Sequence, residues 1–217
     1  MNKFTTICMG ILAVALSACD AHKEFPDTST KVCNVLCSDG KIVSIEDFEA
    51  KDKKAVAVVF DINRGEETDG DGLAVFLHEL EPAAFADSLG VNQGTNTTLS
   101  SMEGNTNTFS MYNCRDVTSS LANEVFDLWE YGQSAYIPSV AQMRKLYAAK
   151  DAINPIIKKL GGDVIPENPE NCWYWTSTEV AGQETAKSWL YSLSSGAIQE
   201  TPKTQAHKAR AIITLYQ

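Results

Sequence analysis

The sequence predicts an α+β domain in which short antiparallel strands surround two to four helices, and three observations predict it. Ala55 to Phe60 is a nearly continuous Val-rich run, the pattern of a strand buried on both faces. Between Thr118 and Gly162 the apolar residues recur at helical spacing. After a Pro- and Asn-rich stretch, strand-like segments resume up to Tyr216.

Taken in order, Val32 to Cys37 reads as a short strand and Ser38-Asp39-Gly40-Lys41 as a turn. Ser44 and Asp47 form a capping-box pattern that opens a short helix over Ile45, Phe48 and Glu49. The strand at Ala55 is followed by a polar loop, Asp61 to Gly72, and a second strand, Leu73 to Leu80. Glu81 to Asn113 is rich in Gly, Asn, Thr and Ser and reads as loop with one helical turn. Leu121, Val125, Leu128 and Trp129 share one face of a helix that Gly132 ends. Ser139 and Gln142 cap a second, with Val140, Met143, Leu146 and Tyr147 as its buried stripe. Asp151 caps a third, stopped by Gly161-Gly162. Three strands follow, Trp173 to Thr178, Ala186 to Leu193 and Ala209 to Tyr216, with Ser195-Gly196 as a tight turn.

The N-terminus carries a different signal. Lys3 precedes an uncharged apolar stretch, Ile7 to Leu16, too short for a permanent span of about 20 residues. Leu16-Ser17-Ala18-Cys19 then matches a lipobox. Residues 1–18 are therefore expected to be a lipoprotein signal peptide, with Cys19 lipidated and residues 19–31 a flexible tether to a domain over 32–217. Several acyl chains at about 0.8 kcal/mol per methylene make such an anchor effectively permanent. Asp20 favours inner-membrane retention in some bacteria.

Formal charge is −10, and loss of Lys3 with the signal leaves 17 basic against 28 acidic residues. That balance argues against nucleic acid or a polyanion as partner. The basic clusters at Lys51 to Lys54 and Lys203 to Arg210 read as solvated faces. Cys33, Cys37, Cys114 and Cys172 remain after export and, in an oxidising compartment, are expected to form two disulfides in one of three connectivities. Their spacing is not that of a zinc site. Glu67, Asp69, Asp71 and Gly72 alternate as in a calcium loop, but His78 stands where the bidentate Glu belongs, and a hairpin turn is the better reading. No metal or cofactor is expected. His22, His78 and His207 have no Ser or Cys partner motif, so the chain does not read as an enzyme.

Ile137-Pro138-Ser139, Leu146-Tyr147, Leu160-Gly161-Gly162, Tyr174-Trp175-Thr176-Ser177-Thr178-Glu179, Trp189, Gly196 and Arg210-Ala211 occur in that order. This succession resembles the C-terminal domain family of collagen-like bacterial adhesins, related to the formylglycine-generating-enzyme variant of the C-type-lectin-like fold. The resemblance implies a C-type-lectin-like domain on an outer-membrane, surface-exposed lipoprotein that binds a glycan or an extracellular matrix protein. Trp173, Glu179, Gln183 and Glu184 are the expected ligand-binding residues; Trp173 is equally suited to a core position, and Glu179 is also a candidate partner for Arg210. Two alternatives stand beside adhesion: a structural part of an envelope or pilus assembly, and an enzyme of the formylglycine-generating type working through Cys114 or Cys172.

Overall fold

The computed structural model describes residues 29–50, 53–63, 70–130 and 133–216. The signal peptide, Cys19 and most of the tether lie outside the described residues, as do Glu67 and Asp69 of the calcium-like pattern. In chain order the elements are β1 (Val35–Cys37), β2 (Ile42–Val43), α1 (Ile45–Ala50), β3 (Ala55–Ile62), β4 (Gly72–Phe76), β5 (Leu80–Ala84), α2 (Gly104–Asn113), α3 (Ser120–Phe126), β6 (Trp129–Glu130), β7 (Gln133–Ser134), α4 (Val140–Lys159), β8 (Trp173–Glu179), β9 (Lys187–Ser192), β10 (Ile198–Pro202), β11 (Ala206–Ala209) and β12 (Ile212–Leu215). The fold is α+β, with four helices among the described residues and two five-stranded sheets. The first sheet runs β12-β4-β3-β1-β2 and the second β10-β9-β8-β11-β5, with β6-β7 a separate small ribbon. Pairing is antiparallel apart from a parallel contact between β11 and β8 at Lys208 and Tyr174.

Strand β3 is buried on both faces, as its Val-rich run predicts. Ala57 and Val59 enter one apolar cluster, with Trp175, Phe85, Met111 and Leu121. Val58 and Phe60 enter the other, with Met143, Leu146, Ile153 and Tyr174. The side-chain period of 2 sends neighbours to opposite faces, so one sheet organises two cores. Strands β3 and β4 pair directly across the polar connection, which is the hairpin expected over Asp61 to Gly72.

Helix α4 begins on a full capping box: Ser139 Oγ accepts from Gln142 N, and Gln142 Oε1 accepts from Ser139 N at 2.9 Å. It ends in a Schellman motif. Gly162 N donates to Ile157 O at 2.9 Å and Gly161 N to Lys158 O at 3.1 Å, with Gly161 at φ +76°.

Several expectations are corrected. The third helix does not exist separately, because α4 runs unbroken through Asp151 and Pro155. The apolar run Leu73 to Leu80 splits: Gly72–Phe76 joins the first sheet, and β5 crosses to the second, where it pairs with β11. Glu81 to Asn113 contains the rest of β5 and a ten-residue helix, α2. Beyond Ser195-Gly196 the chain makes β10, and the final apolar run is two strands broken at Arg210. Cys33, Cys37, Cys114 and Cys172 are free thiols rather than two disulfides. Cys33 packs against the Val58 cluster and Cys114 against the Trp175 cluster, so these two are separated by the core itself. Lys203 and Arg210 are fully buried and not part of a solvated face.

Candidate functional site

The expected ligand-binding residues divide between the two ends of β8. Trp173 starts the strand, half-buried against the Trp175 cluster. Glu179 ends it, six residues and about 20 Å further on at about 3.3 Å per residue. Glu179 is 0 % exposed, and its Oε1 accepts from Lys203 Nζ at 2.6 Å and from Gln93 N at 3.0 Å. Its Oε2 accepts from Thr95 N at 3.2 Å and Thr95 Oγ1 at 3.0 Å. Lys203 also donates to the carbonyls of Val91 and Glu184, both at 3.0 Å. Glu179 therefore pairs with Lys203, not Arg210. Gln183 Nε2 donates to Glu200 Oε2 at 3.1 Å, and Glu184 Oε1 accepts from Gly182 N at 2.8 Å. Hydrogen bonds from the backbone of its own turn hold the Glu184 carboxyl below its ordinary value.

Arg210 lies in a second polar group. Its Nη2 donates to Leu77 O at 3.0 Å, and Nη1 is 3.7 Å from Glu79 Oε1. Glu79 also takes a bond from Lys208 Nζ at 2.6 Å and another from the Tyr174 hydroxyl. Burial, then the hydrogen bond to Glu79, pushes the Tyr174 hydroxyl well above its ordinary value. Glu79 N donates to Asp163 Oδ2 at 3.0 Å, which holds the Asp163 carboxyl low. These groups tie β5, β8 and β11 to the loop after α4.

A pocket of about 460 Å³ opens elsewhere, where the ends of β3, β4 and β12 meet the start of α2 and the first turn of α4. Tyr136, 2 % exposed, forms its floor: its hydroxyl is 2.8 Å from Thr214 Oγ1, and Gln142 Nε2 donates to it at 3.3 Å. Asp61 stands on one side, its Oδ2 accepting from Lys145 Nζ at 2.9 Å. Glu103 stands on another, with Oε2 accepting from Asn96 Nδ2 at 2.5 Å and Ser101 Oγ at 3.2 Å. Asn96 Oδ1 in turn accepts from Thr98 N at 2.9 Å. Gly104 permits the closure, since a Cβ there would lie 2.2 Å from Gln142 Oε1 and 2.8 Å from Ile137 O. Of the thirteen described lining residues, only Gly72, Leu73 and Met102 lack a polar side-chain group that hydrogen-bonds well. Sequence reasoning missed this pocket because its residues come from well-separated stretches of the chain, and the one motif among them, the Gln142 capping box, marks a helix start and not a site.

No family model matches the chain, and no curated protein matches it. Its fold is similar to the crystal structure of a fimbrial protein from Bacteroides ovatus ATCC 8483. The TM-score is 0.65 at 14 % identity, over 85 % of this chain and 48 % of that one. The chain thus spans about half the length of that protein, and the likeness is one of fold.

These findings overturn the resemblance to collagen-like adhesin and formylglycine-generating-enzyme domains. Its strings have local physical roles that other folds share. Pro138-Ser139 is a helix start, Gly161-Gly162 a helix stop, and Trp175 a core aromatic whose Nε1 donates to Ala83 O at 3.0 Å. Among the described residues no three His, Cys, Asp or Glu side chains gather into a metal-binding group, and no helix is long and apolar enough to cross a membrane.

Proposed function

We propose that the protein is a non-catalytic lipoprotein of a bacterial cell envelope, displayed at the surface as a structural component of a fimbrial or related assembly. The fold likeness to a fimbrial protein carries this reading. The lipobox ending at Cys19 supports the lipid anchor and the tether, and the fold likeness supports a position at the outer surface. The non-catalytic part is supported by how one buried charge pair is used: Glu179 and Lys203 bond each other, and their remaining bonds go to the surrounding Gln93, Thr95, Val91 and Glu184.

The test is fractionation and protease shaving of cells producing the tagged full-length protein. Wild type should be cleaved on intact cells and should appear with filaments sheared from the surface, while Cys19→Ala should leave the membrane fraction. Protection until lysis, or a filament fraction free of the protein, would refute the assignment.

The polar pocket favours a second reading, in which the displayed domain also recognises a ligand, a glycan or an extracellular protein. Trp173 and Glu179 are not among the pocket's described lining residues, although Glu179 bonds Thr95, the neighbour of the lining residue Asn96. Its volume falls within the range of about 300–1,000 Å³ usual for small-ligand sites.

A further inference from the structure

We infer that the pocket between Asp61, Glu103 and Tyr136 is a binding site for a neutral saccharide of one or two rings. This rests on the second reading above and names its ligand class. Three features of the lining select that chemistry.

First, the lining is richer in acceptors than in donors. Asp61 and Glu103 carry carboxylates, and each can accept more bonds than its described partners supply. A hydroxyl donates to such groups, and vicinal hydroxyls suit the two oxygens of one carboxylate. Second, the charges are already attended: Lys145 faces Asp61 at 2.9 Å, while Asn96 and Ser101 donate to Glu103. A cation would gain less here than in an open acidic cleft, and an anion would meet two carboxylates with no Lys or Arg among the described lining residues. Third, Leu73 and Met102 supply small apolar areas among the polar groups. That mixture fits a sugar, whose ring presents C–H faces between its hydroxyls. A peptide side chain of hydrophobic type would leave the polar lining unpaired.

The site is also held in place before any ligand arrives. Tyr136, Gln142, Ser139 and Ser101 form one connected series, with Ser139 Oγ donating to Ser101 O at 2.6 Å and Gln142 Nε2 to the Tyr136 hydroxyl at 3.3 Å. The carboxamide of Asn96 is fixed at both ends. Polar groups that are already oriented lose little freedom on binding.

Isothermal titration calorimetry tests this on full-length protein in a detergent without a sugar headgroup. The probes are neutral hexoses, N-acetylhexosamines and their disaccharides, with a sulfated disaccharide and spermidine as contrasts. At least one neutral sugar should bind with a Kd of about 0.1–10 mM, the range of a small polar ligand. Thr106→Trp, placed at an exposed lining position, should fill the pocket and weaken that binding about tenfold or more. Asn105→Ala, also exposed, provides a gentler loss if the Trp variant melts early. Phe109→Ala, on the same helix but outside the lining, should bind as wild type does. Absence of neutral-sugar binding, preference for spermidine or the sulfated sugar, or unchanged affinity in both lining variants would overturn the assignment. The readout is made in solution, so failure of surface display and failure of sugar binding are separately visible.

Discussion

Lys203 and Glu179 carry opposite charges in a place with no access to water. Transfer of either ion from water is costly, and their 2.6 Å contact with five further hydrogen bonds to the pair offsets that cost. Removing one partner strands the other. Lys203→Met and Glu179→Leu should each lower stability by about 3–5 kcal/mol, while the double variant should recover much of the loss. Urea denaturation of the four proteins measures this, and additive losses would show that the pair is not coupled. His207 is the other informative residue. Its ring meets Trp175 edge-on at 5.3 Å, and burial holds its pKa below the ordinary 6.5. A depressed folded pKa means that stability is complete above pH 6.5 and falls as acid forces the ring to protonate. The urea midpoint should therefore decline below about pH 6.5, and His207→Gln should flatten that decline. An identical acid limb in both proteins would remove His207 as its source.

At the scale of elements, α4 contains its own defect. Pro155 lies inside the helix, exposed, and has no N–H to give the carbonyl of Asp151. Pro155→Ala should raise the thermal midpoint, gaining up to about 3 kcal/mol, and an unchanged or lower midpoint by calorimetry would show that the proline costs the helix nothing. The same helix shows what the sequence makes legible. The Ser139–Gln142 capping box, the Gly161-Gly162 stop and the Val-rich β3 are local codes, and all three take the predicted form, whereas at Ser44 and Asp47 only the Ser44 Oγ half of the box is seen. Asp151 misleads because Asp is a good N-cap and suggests a new helix start, yet it lies exposed inside α4, and the fully buried Ile153 and Ile157 carry the helix through. Helix α2 fails in the opposite direction. Gly-Asn-Thr-Asn-Thr is a poor helical start, and Glu103 provides no side-chain cap. Tertiary bonds sustain it instead: Thr108 Oγ1 accepts from Ile137 N at 2.9 Å, and Asn107 Oδ1 accepts from Asn96 N at 2.7 Å. The pocket was illegible for the same reason, because its walls come together only through such long-range contacts.

For the whole molecule, cysteine chemistry gives the clearest expectation. Cys33 Sγ donates to Ala152 O at 3.3 Å and Cys172 Sγ to Pro169 O at 3.0 Å, each occupied within its own neighbourhood. Titration with a thiol reagent in denaturant, without reductant, should find all four of Cys33, Cys37, Cys114 and Cys172 reactive. Burial raises the pKa of Cys33 and Cys37, so both should react slowly in the native protein. Recovery of only two thiols would mean that a disulfide forms. Last, the β12 strand pairs with β4, while Ile212 enters one core and Ile213 and Leu215 the other. Both cores therefore wait for residues 206–215, and the strands β3 and β4 cannot be sealed while the chain is still emerging. Contacts of such long sequence separation form slowly. Under the export proposed above, that delay would favour passage: the polypeptide would stay threadable through a narrow translocation channel, and would close into its final shape only after residues 206–215 had been delivered.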